Sequence, residues 1–322
     1  MARTRLYRDG RLVLEGFPVA DVSEHLTDGS TIWVDLVHPE RAELELVADE
    51  LGLHGLAIED ATSSRERPKL DRYPGHLFTT AYAVTLDTGS GRLSLQGISA
   101  FITPSALVTV RPDDAFPIEE LMQRWDGGAD LASHGSAFLL HGLLDYVVDS
   151  HFTAVSELDE QIESLEDLLF DDRPHDGEVQ RRSFELRKSL VLLRRVVLPM
   201  REVVNSLMRR DLHVLDEAMV PYYQDVYDHV LRAGEWTESL RDLVATILET
   251  NLTLQGNRLN SIMKKVTSWA AIIAVPTAIT GFYGQNVPYP GFSQPLGFWT
   301  SSAMIFMLSG ALYWAFRRRD WI

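Results

Sequence analysis

The chain has 322 residues, 46 Asp plus Glu against 30 Lys plus Arg, a formal net charge of −16, and no cysteine. Such an acidic balance argues against a nucleic-acid partner, since nothing beyond short basic clusters is present to neutralise phosphates, and the absence of thiols excludes disulfide frameworks and thiolate metal sites. The length suffices for two domains with a real core, and the excess negative charge must be either solvated or met by cations.

Residues 1–140 read as a mixed α/β domain. The N-terminal MARTRLYRDGRLVLEGF carries basic residues but no sustained apolar run, so no cleaved signal is expected. TIWVDL (Thr31–Leu36) is a β-rich run closed by His38-Pro39, and Pro39–Leu51 has helical period that stops at Gly52. His76–Leu86, Leu93–Ile102 and Ala106–Arg111 read as strands, the first two joined by the turn Asp87-Thr88-Gly89-Ser90-Gly91. No glycine-rich phosphate loop, HExxH or nucleophile elbow occurs here, so the region reads as a scaffold or sensor and not an enzyme.

Helical period takes over at about Ser136, and residues 141–220 read as a helical hairpin. Leu158, Ile162, Leu165 and Leu169 recur at three- and four-residue spacing while Glu160, Glu163, Asp167 and Asp171 line another face. After the turn DDRPHDG (Asp171–Gly177) the next helix is basic, with Arg181, Arg182, Arg187, Lys188, Arg194, Arg195 and Arg201. An acidic helix followed by a basic one predicts an antiparallel pair held partly by charge complementarity. His141 and His151 stand ten apart without a carboxylate cluster, which argues against a transition-metal site there.

Residues 221–265 read as a stalk helix. Val226, Val230, Ala233, Leu240, Val244, Ile247 and Leu254 make a heptad-like seam interrupted by Thr237 and Asn251. A helix from about Tyr222 to Thr280 would be about 90 Å long and would enter a membrane without a hinge. Residues 266–283 carry no charge and nearly cross a hydrocarbon core of roughly 30 Å; residues 298–316 form a second such span. Lys264 and Lys265 precede the first, Arg317, Arg318 and Arg319 follow the second within the basic tail 317–322, and the loop 284–297 between them holds no Lys or Arg. The positive-inside rule then places both termini in the cytoplasm and the loop outside, with Trp269, Tyr283, Trp299, Trp314 and Trp321 near the headgroups. The expected location is the cell (inner) membrane.

The signature Tyr283-Gly284-Gln285-Asn286 closes the penultimate hydrophobic helix, and a second span and a basic tail follow. This arrangement resembles the CorA family of divalent-cation channels, whose hallmark is Tyr-Gly-Met-Asn, with Gln285 in place of the Met. PYYQDVYDHV (Pro221–Val230) and RERPKLDRY (Arg65–Tyr73) also resemble the family's cytoplasmic domain, so the resemblance covers nearly the whole chain. It implies an α+β cytoplasmic domain, a long stalk helix and two C-terminal transmembrane helices assembled as a funnel-shaped homopentamer.

One helix cannot enclose a pore, so several copies must surround an axis. Asn260, Met263, Val266, Ala270, Ala274, Thr277, Gly281 and Gly284 recur every three or four residues and share one side of the first span. Mg²⁺ prefers oxygen ligands and parts reluctantly with water, which suits amide, hydroxyl and carbonyl oxygens at Asn260, Thr277, Gly284, Gln285 and Asn286. Met263 and Val266 would form an apolar gate that closes by dewetting. Lys264, Lys265 and Arg317 to Arg319 would form a basic collar at the inner exit, and the outer loop lacks Asp and Glu to capture cations. The resemblance further implies a regulatory Mg²⁺ bound between subunits by Asp225, with Asp87 as its partner. Three functions follow as expectations: a Mg²⁺ channel gated by internal Mg²⁺, a Co²⁺, Ni²⁺ or Zn²⁺ transporter of the same superfamily, or a membrane-anchored sensor or enzyme. Uncharged polar residues within and at the mouth of the first span disfavour the last, since an anchor does not need them.

Overall fold

The computed structural model describes residues 2–63, 67–128, 131–171, 175–209, 216–286, 288–289 and 291–322. Of the stretches singled out above, Arg65, Glu66, the middle of DDRPHDG, Val287 and Pro290 lie outside them. The chain divides into two compact units, Met1–Ile247 and Leu248–Ile322.

The first unit is built on a seven-stranded sheet of order β2-β1-β3-β7-β6-β5-β4. Strands β1 (Ala2–Arg8) and β2 (Arg11–Glu15) were not anticipated. Asp9 and Gly10 join them, both at positive φ (50° and 74°), which is the backbone of a type I′ hairpin turn. A side chain at Gly10 would also bring its Cβ to 2.9 Å from that of Ala132. β3 (Ser30–Val37) pairs antiparallel with β1 and parallel with β7 (Ala106–Arg111). β6 (Arg92–Ile102), β5 (His76–Asp87) and β4 (Lys69–Tyr73) continue antiparallel to the far edge.

Side-chain alternation divides the core into two layers. Ile32, Val34, Leu36, Phe78, Phe101 and Val108 pack with residues of α1 (Val22–His25), α2 (Arg41–Leu51) and α3 (Gly55–Thr62). Trp33, Leu77, Ile98, Ile102 and Leu107 pack on the other side with α4 (Ile118–Gly127), α5 (Ser136–Leu169), α6 (Asp176–Leu207) and the start of α7 (Val220–Tyr283). One charge pair sits inside this sandwich. Asp35 is fully buried, and Arg111, 2% exposed, clasps it with Nη2 at 2.7 Å and Nε at 3.1 Å. Thr109 donates its hydroxyl to Asp35 at 2.7 Å, and Arg111 Nη1 donates to the Phe116 carbonyl at 3.2 Å. These bonds satisfy a pair that would otherwise be costly to desolvate.

The acidic-and-basic hairpin requires correction. α5 and α6 do pack together, but through an apolar seam in which Leu158, Ile162 and Leu165 join Val179, Leu186, Leu190 and Leu193, all buried. Among the described residues, Glu160, Glu163 and Asp167 make no ion pair. Arg194 pairs instead with Glu238 on α7, and Arg182 donates to the neutral oxygens of Gln161 and Ser164. Exposed ion pairs gain little against water, so burial of the leucine stripe decides the packing and the charges remain in solvent.

The stalk expectation holds for the helix itself, which runs unbroken from Val220 to Tyr283. In the first unit its seam residues Val226, Val230, Ala233, Leu240, Val244 and Ile247 are all buried. Thr237, also buried, returns its hydroxyl proton to the Ala233 carbonyl at 2.7 Å. The second unit contains the remainder of α7 and α8 (Pro295–Arg318). Their most apolar windows have mean hydropathies of 1.4 and 1.3 and are only 6% buried within the chain, as expected of helices whose apolar surface faces lipid.

Candidate ion pathway and regulatory carboxylates

The first span has two distinct sides. Ser268 is fully buried, and Ile272, Val275, Pro276, Ile279 and Tyr283, spaced at helical period from it, are half-covered. Asn260, Met263, Val266, Ala270, Ala274, Thr277, Gly281 and Gly284 are all exposed, Met263 at 66% and Val266 at 63%. The side read as pore-lining is therefore left free by the rest of this chain, as are Trp269, Ile273 and Phe282 outside it. Thr277 lies at its margin, because it also borders a cleft of about 560 Å³ shared with Phe306, Ser309 and Tyr313 of α8. Its hydroxyl donates to the Ile273 carbonyl at 3.0 Å, which leaves the oxygen lone pairs available. Sequence reasoning missed Ser268 and Ser309, whose hydroxyls are buried without a hydrogen-bond partner among the described residues; serines on otherwise apolar helices were the available signal.

At its C-terminal end α7 stops after Tyr283. Gly284 N–H closes the last turn on the Thr280 carbonyl at 2.8 Å, and Gln285 N–H reaches the Phe282 carbonyl at 3.3 Å. A Cβ on Gly284 would lie 3.0 Å from the Thr280 oxygen, so the signature glycine lets the chain turn tightly over the helix end. Tyr289 donates its hydroxyl to the Tyr283 carbonyl at 3.0 Å, and Phe282, Tyr283, Tyr289 and Phe292 pack ring on ring beneath the loop. Gln285 and Asn286 are exposed. At the other end of the spans Lys264, Lys265, Arg317, Arg318 and Arg319 are exposed, with the Arg318 guanidinium 5.3 Å from the Trp314 ring centre.

The two proposed regulatory carboxylates both lie on the surface of the first unit. Asp87 caps its own turn, accepting from the Ser90 hydroxyl at 2.6 Å and the Gly89 N–H at 3.0 Å. The Ser90 bond first, and then the Gly89 bond, hold its carboxyl below the ordinary carboxylate range. A carboxylate has about four lone-pair sites, so Asp87 retains capacity for a cation or its waters. Asp225 is exposed and its charge acts on His141, whose ring lies 5.8 Å and 5.6 Å from those of Tyr222 and Tyr223. Burial lowers the pKa of His141, while Asp145, the Tyr222 backbone and Asp225 oppose that shift. Beside it, burial and then Asp149 push the Asp145 carboxyl up, and Arg124 bridges Asp145 and Asp149 at 3.1 and 2.8 Å. His151 is fully buried, with Nε2 donating to the Tyr82 carbonyl at 2.8 Å and Nδ1 unpartnered among the described residues. No group of three or more His, Asp or Glu among the described residues of one chain is placed to hold a metal ion.

The sequence profile described as "CorA-like Mg2+ transporter protein" matches residues 28–318. A putative metal ion transporter, YfjQ, of Bacillus subtilis is 30% identical over 314 residues, covering 96% of this chain and 95% of its own length. The cobalt/magnesium transport protein CorA of Thermotoga maritima is 29% identical over 314 residues, covering 95% and 88%. The complete structure of the CorA magnesium transporter from Methanocaldococcus jannaschii superposes with a TM-score of 0.81 over 100% of this chain and 99% of that one, at 24% identity, and so shares the fold. The chain belongs to the CorA-like Mg²⁺ transporter family and is a membrane transporter of divalent metal ions, not an enzyme.

Proposed function

We propose that the protein conducts Mg²⁺ into the cytoplasm through a pore formed by the first spans of a homopentamer, with both termini inside, and that internal Mg²⁺ closes it. The observation that carries this reading is the free side of α7, where uncharged oxygen donors at Asn260 and Thr277, followed by Gly284 and Asn286 just past the helix end, stand exposed in the single chain. Amide, hydroxyl and carbonyl oxygens suit an ion that keeps most of its water, whereas a ring of carboxylates would hold it too tightly to release. Asn286 would recognise the hydrated ion at the mouth. Met263 and Val266, about one and two turns outward from Asn260, would close the pore by excluding water. The basic collar would oppose cations at the exit unless the acidic cytoplasmic surface offset it.

In the closed state a Mg²⁺ ion would bridge Asp225 of one subunit and Asp87 of the next. Two exposed carboxylates fit an oxygen-seeking ion that retains several waters. Loss of internal Mg²⁺ would restore the repulsion between them and release the stalks. The ion shifts this equilibrium only by its differential affinity for the two states, so several weak sites acting together suit the task. Gln285, standing where the family signature has Met, favours a second reading in which Co²⁺, Ni²⁺ or Zn²⁺ is the preferred ion.

Purified full-length protein in liposomes, challenged with Mg²⁺, Co²⁺, Ni²⁺ and Zn²⁺ singly and in competition, tests both. Mg²⁺ flux that the others fail to outcompete is the expected result; preference for a transition metal selects the second reading, and absence of all flux refutes both. Asn286→Ala should abolish Mg²⁺ uptake while the oligomer persists, and unchanged uptake would remove Asn286 from the pathway. If Gln285→Met leaves selectivity unmoved, that position does not set ion preference.

A further inference from the structure

Two imidazoles hold the first turn of α3 in place, and both act as hydrogen-bond acceptors. His54 is the N-cap of α3, and its Nδ1 accepts from the Leu56 N–H at 3.2 Å. The backbone N–H of His54 in turn donates to Nε2 of His76 at 3.5 Å, a long bond that ties the α2–α3 connection to the start of β5. A backbone N–H can only donate, so neither of these ring nitrogens carries a hydrogen. Both rings are therefore neutral, His54 with its hydrogen on Nε2 and His76 with its hydrogen on Nδ1.

The ring of Tyr73 joins the two in one stack, 4.8 Å from His54 at 20° and 5.2 Å from His76 at 12°. His76 is 5% exposed, and its ring centre lies 6.2 Å from that of Phe101 on β6. Among the described residues neither imidazole pairs with a carboxylate. Asp60 of α3 and Asp71 of β4, whose charges act on Tyr73, are both bound by Lys69 Nζ, at 2.8 and 3.2 Å. Arg72 and His134 line a cavity of about 330 Å³ beside His76, and His134 Nδ1 is bonded to Asp216 at 2.5 Å. Burial lowers the pKa of His76 from 6.5, the Pro74 backbone opposes that shift, and His54 adds to it.

We propose that His54 and His76 form an acid-released latch: neutral, they hold the α2–α3 connection and the first turn of α3 to the β4–β5 hairpin, and protonation frees that turn. A proton on Nδ1 of His54 turns the cap acceptor into a donor aimed at another donor, and sets positive charge at the positive end of the helix. A proton on Nε2 of His76 removes the second acceptor. The latch is closed above pH 6.5 and opens as the pH falls below it, because the open form takes up the protons that the closed form excludes. Release is confined to the first turn. Asp60, in the last turn of α3, keeps its bond to Lys69 of β4, and Ile58 stays in the core.

The test is hydrogen–deuterium exchange of the full-length protein in detergent with EDTA, at pH 7.5 and pH 5.0, with labelling times scaled to the chemical exchange rate. Protection of α3 should fall about tenfold at pH 5.0, the combined worth of a cap and one hydrogen bond, while protection of α2 stays unchanged. His54→Asn and His76→Gln supply oxygens that accept the same bonds and do not titrate. The double variant should keep α3 equally protected at both pH values. Wild-type α3 protection that does not change with pH would overturn the proposal. So would an equal fall in α2, which marks general loosening, or an equal fall in the double variant. The wild-type series decides by itself if the double variant fails to assemble, and with divalent ions removed the outcome is independent of whether the protein conducts Mg²⁺.

Discussion

His151 makes the first unit sensitive to acid. Its imidazole is fully buried, and that burial lowers its pKa from 6.5 to about 4, with the Nε2 bond to the Tyr82 carbonyl opposing only part of the shift. The folded protein therefore excludes a proton that the unfolded chain binds below pH 6.5. Stability contributed by the neutral ring is fully present above pH 6.5, falls as the pH drops from 6.5 to about 4, and levels off below. At about 1.4 kcal/mol per pH unit, the whole interval is worth about 3 kcal/mol, a large share of the roughly 5–15 kcal/mol that holds a typical domain together. Gln at this position supplies an N–H donor for the Tyr82 carbonyl and does not titrate. Urea unfolding of wild type and His151→Gln in detergent, at pH 7.5 and pH 4.5, isolates this contribution from the carboxylates common to both. The wild-type advantage should shrink by about 2–3 kcal/mol between the two conditions. A difference that does not change with pH would refute the assignment of a neutral, proton-excluding His151.

The buried pair gives a second expectation. Asp35→Ala should cost about 3–5 kcal/mol by leaving the Arg111 charge unpaired, whereas Asp35→Leu/Arg111→Met should recover much of that loss in chemical denaturation; equal costs for single and double variants would contradict it. At the gate, Met263→Asp should wet the constriction and give Mg²⁺ leak into liposomes even at high internal Mg²⁺, and a variant that still closes fully would move the barrier to the basic collar. For regulation, protease protection of the first unit should rise with Mg²⁺, and Asp225→Ala should shift its midpoint to higher concentration. An unmoved midpoint would leave Asp225 as a solvent-exposed carboxylate of α7 with no regulatory role.

Elements with long, clean periodicity were legible in the sequence. β5, β6 and β7 read correctly because each carries an apolar run between turn residues, and α7 and α8 because no charge interrupts their spans. β1 and β4 were missed for a common reason. ARTRLYR and KLDRY are rich in charge at positions where an edge or near-edge strand meets solvent or pairs its guanidinium, as Arg5 does with Glu15 at 2.9 Å and Asp126 at 3.1 Å. Such strands exist because a neighbour supplies their hydrogen bonds, and a single sequence does not show the neighbour. The charge-paired hairpin misjudged competing effects, since side-chain entropy and water outweigh exposed ion pairs while leucine burial does not depend on them. That Asn260 to Gly284 share one side of α7 was readable because helical spacing alone sorts residues onto sides. The bonds of Ser189 to the distant turn at Gly91–Leu93 were not, because they depend on how α6 is packed on the sheet.

Pro276 lies inside α7, seven residues short of its end at Tyr283. Its ring nitrogen carries no hydrogen, so the Ile272 carbonyl loses its rung in the helical ladder and the rod is most compliant there. The hydroxyls of Thr277 and Thr280 turn back onto the carbonyls of Ile273 and Pro276, adding bonds around the break without replacing the missing one. The two turns beyond it are tied to the loop by the Tyr289 hydroxyl and the edge-on contact of the Tyr283 and Tyr289 rings. The missing rung thus separates the turn at Gly284–Asn286 from the part of the span that carries Met263 and Val266. On the proposed pathway, discrimination at Asn286 and opening at Met263 and Val266 would fall on opposite sides of one imino acid, so the mouth would keep its geometry while the constriction changed width.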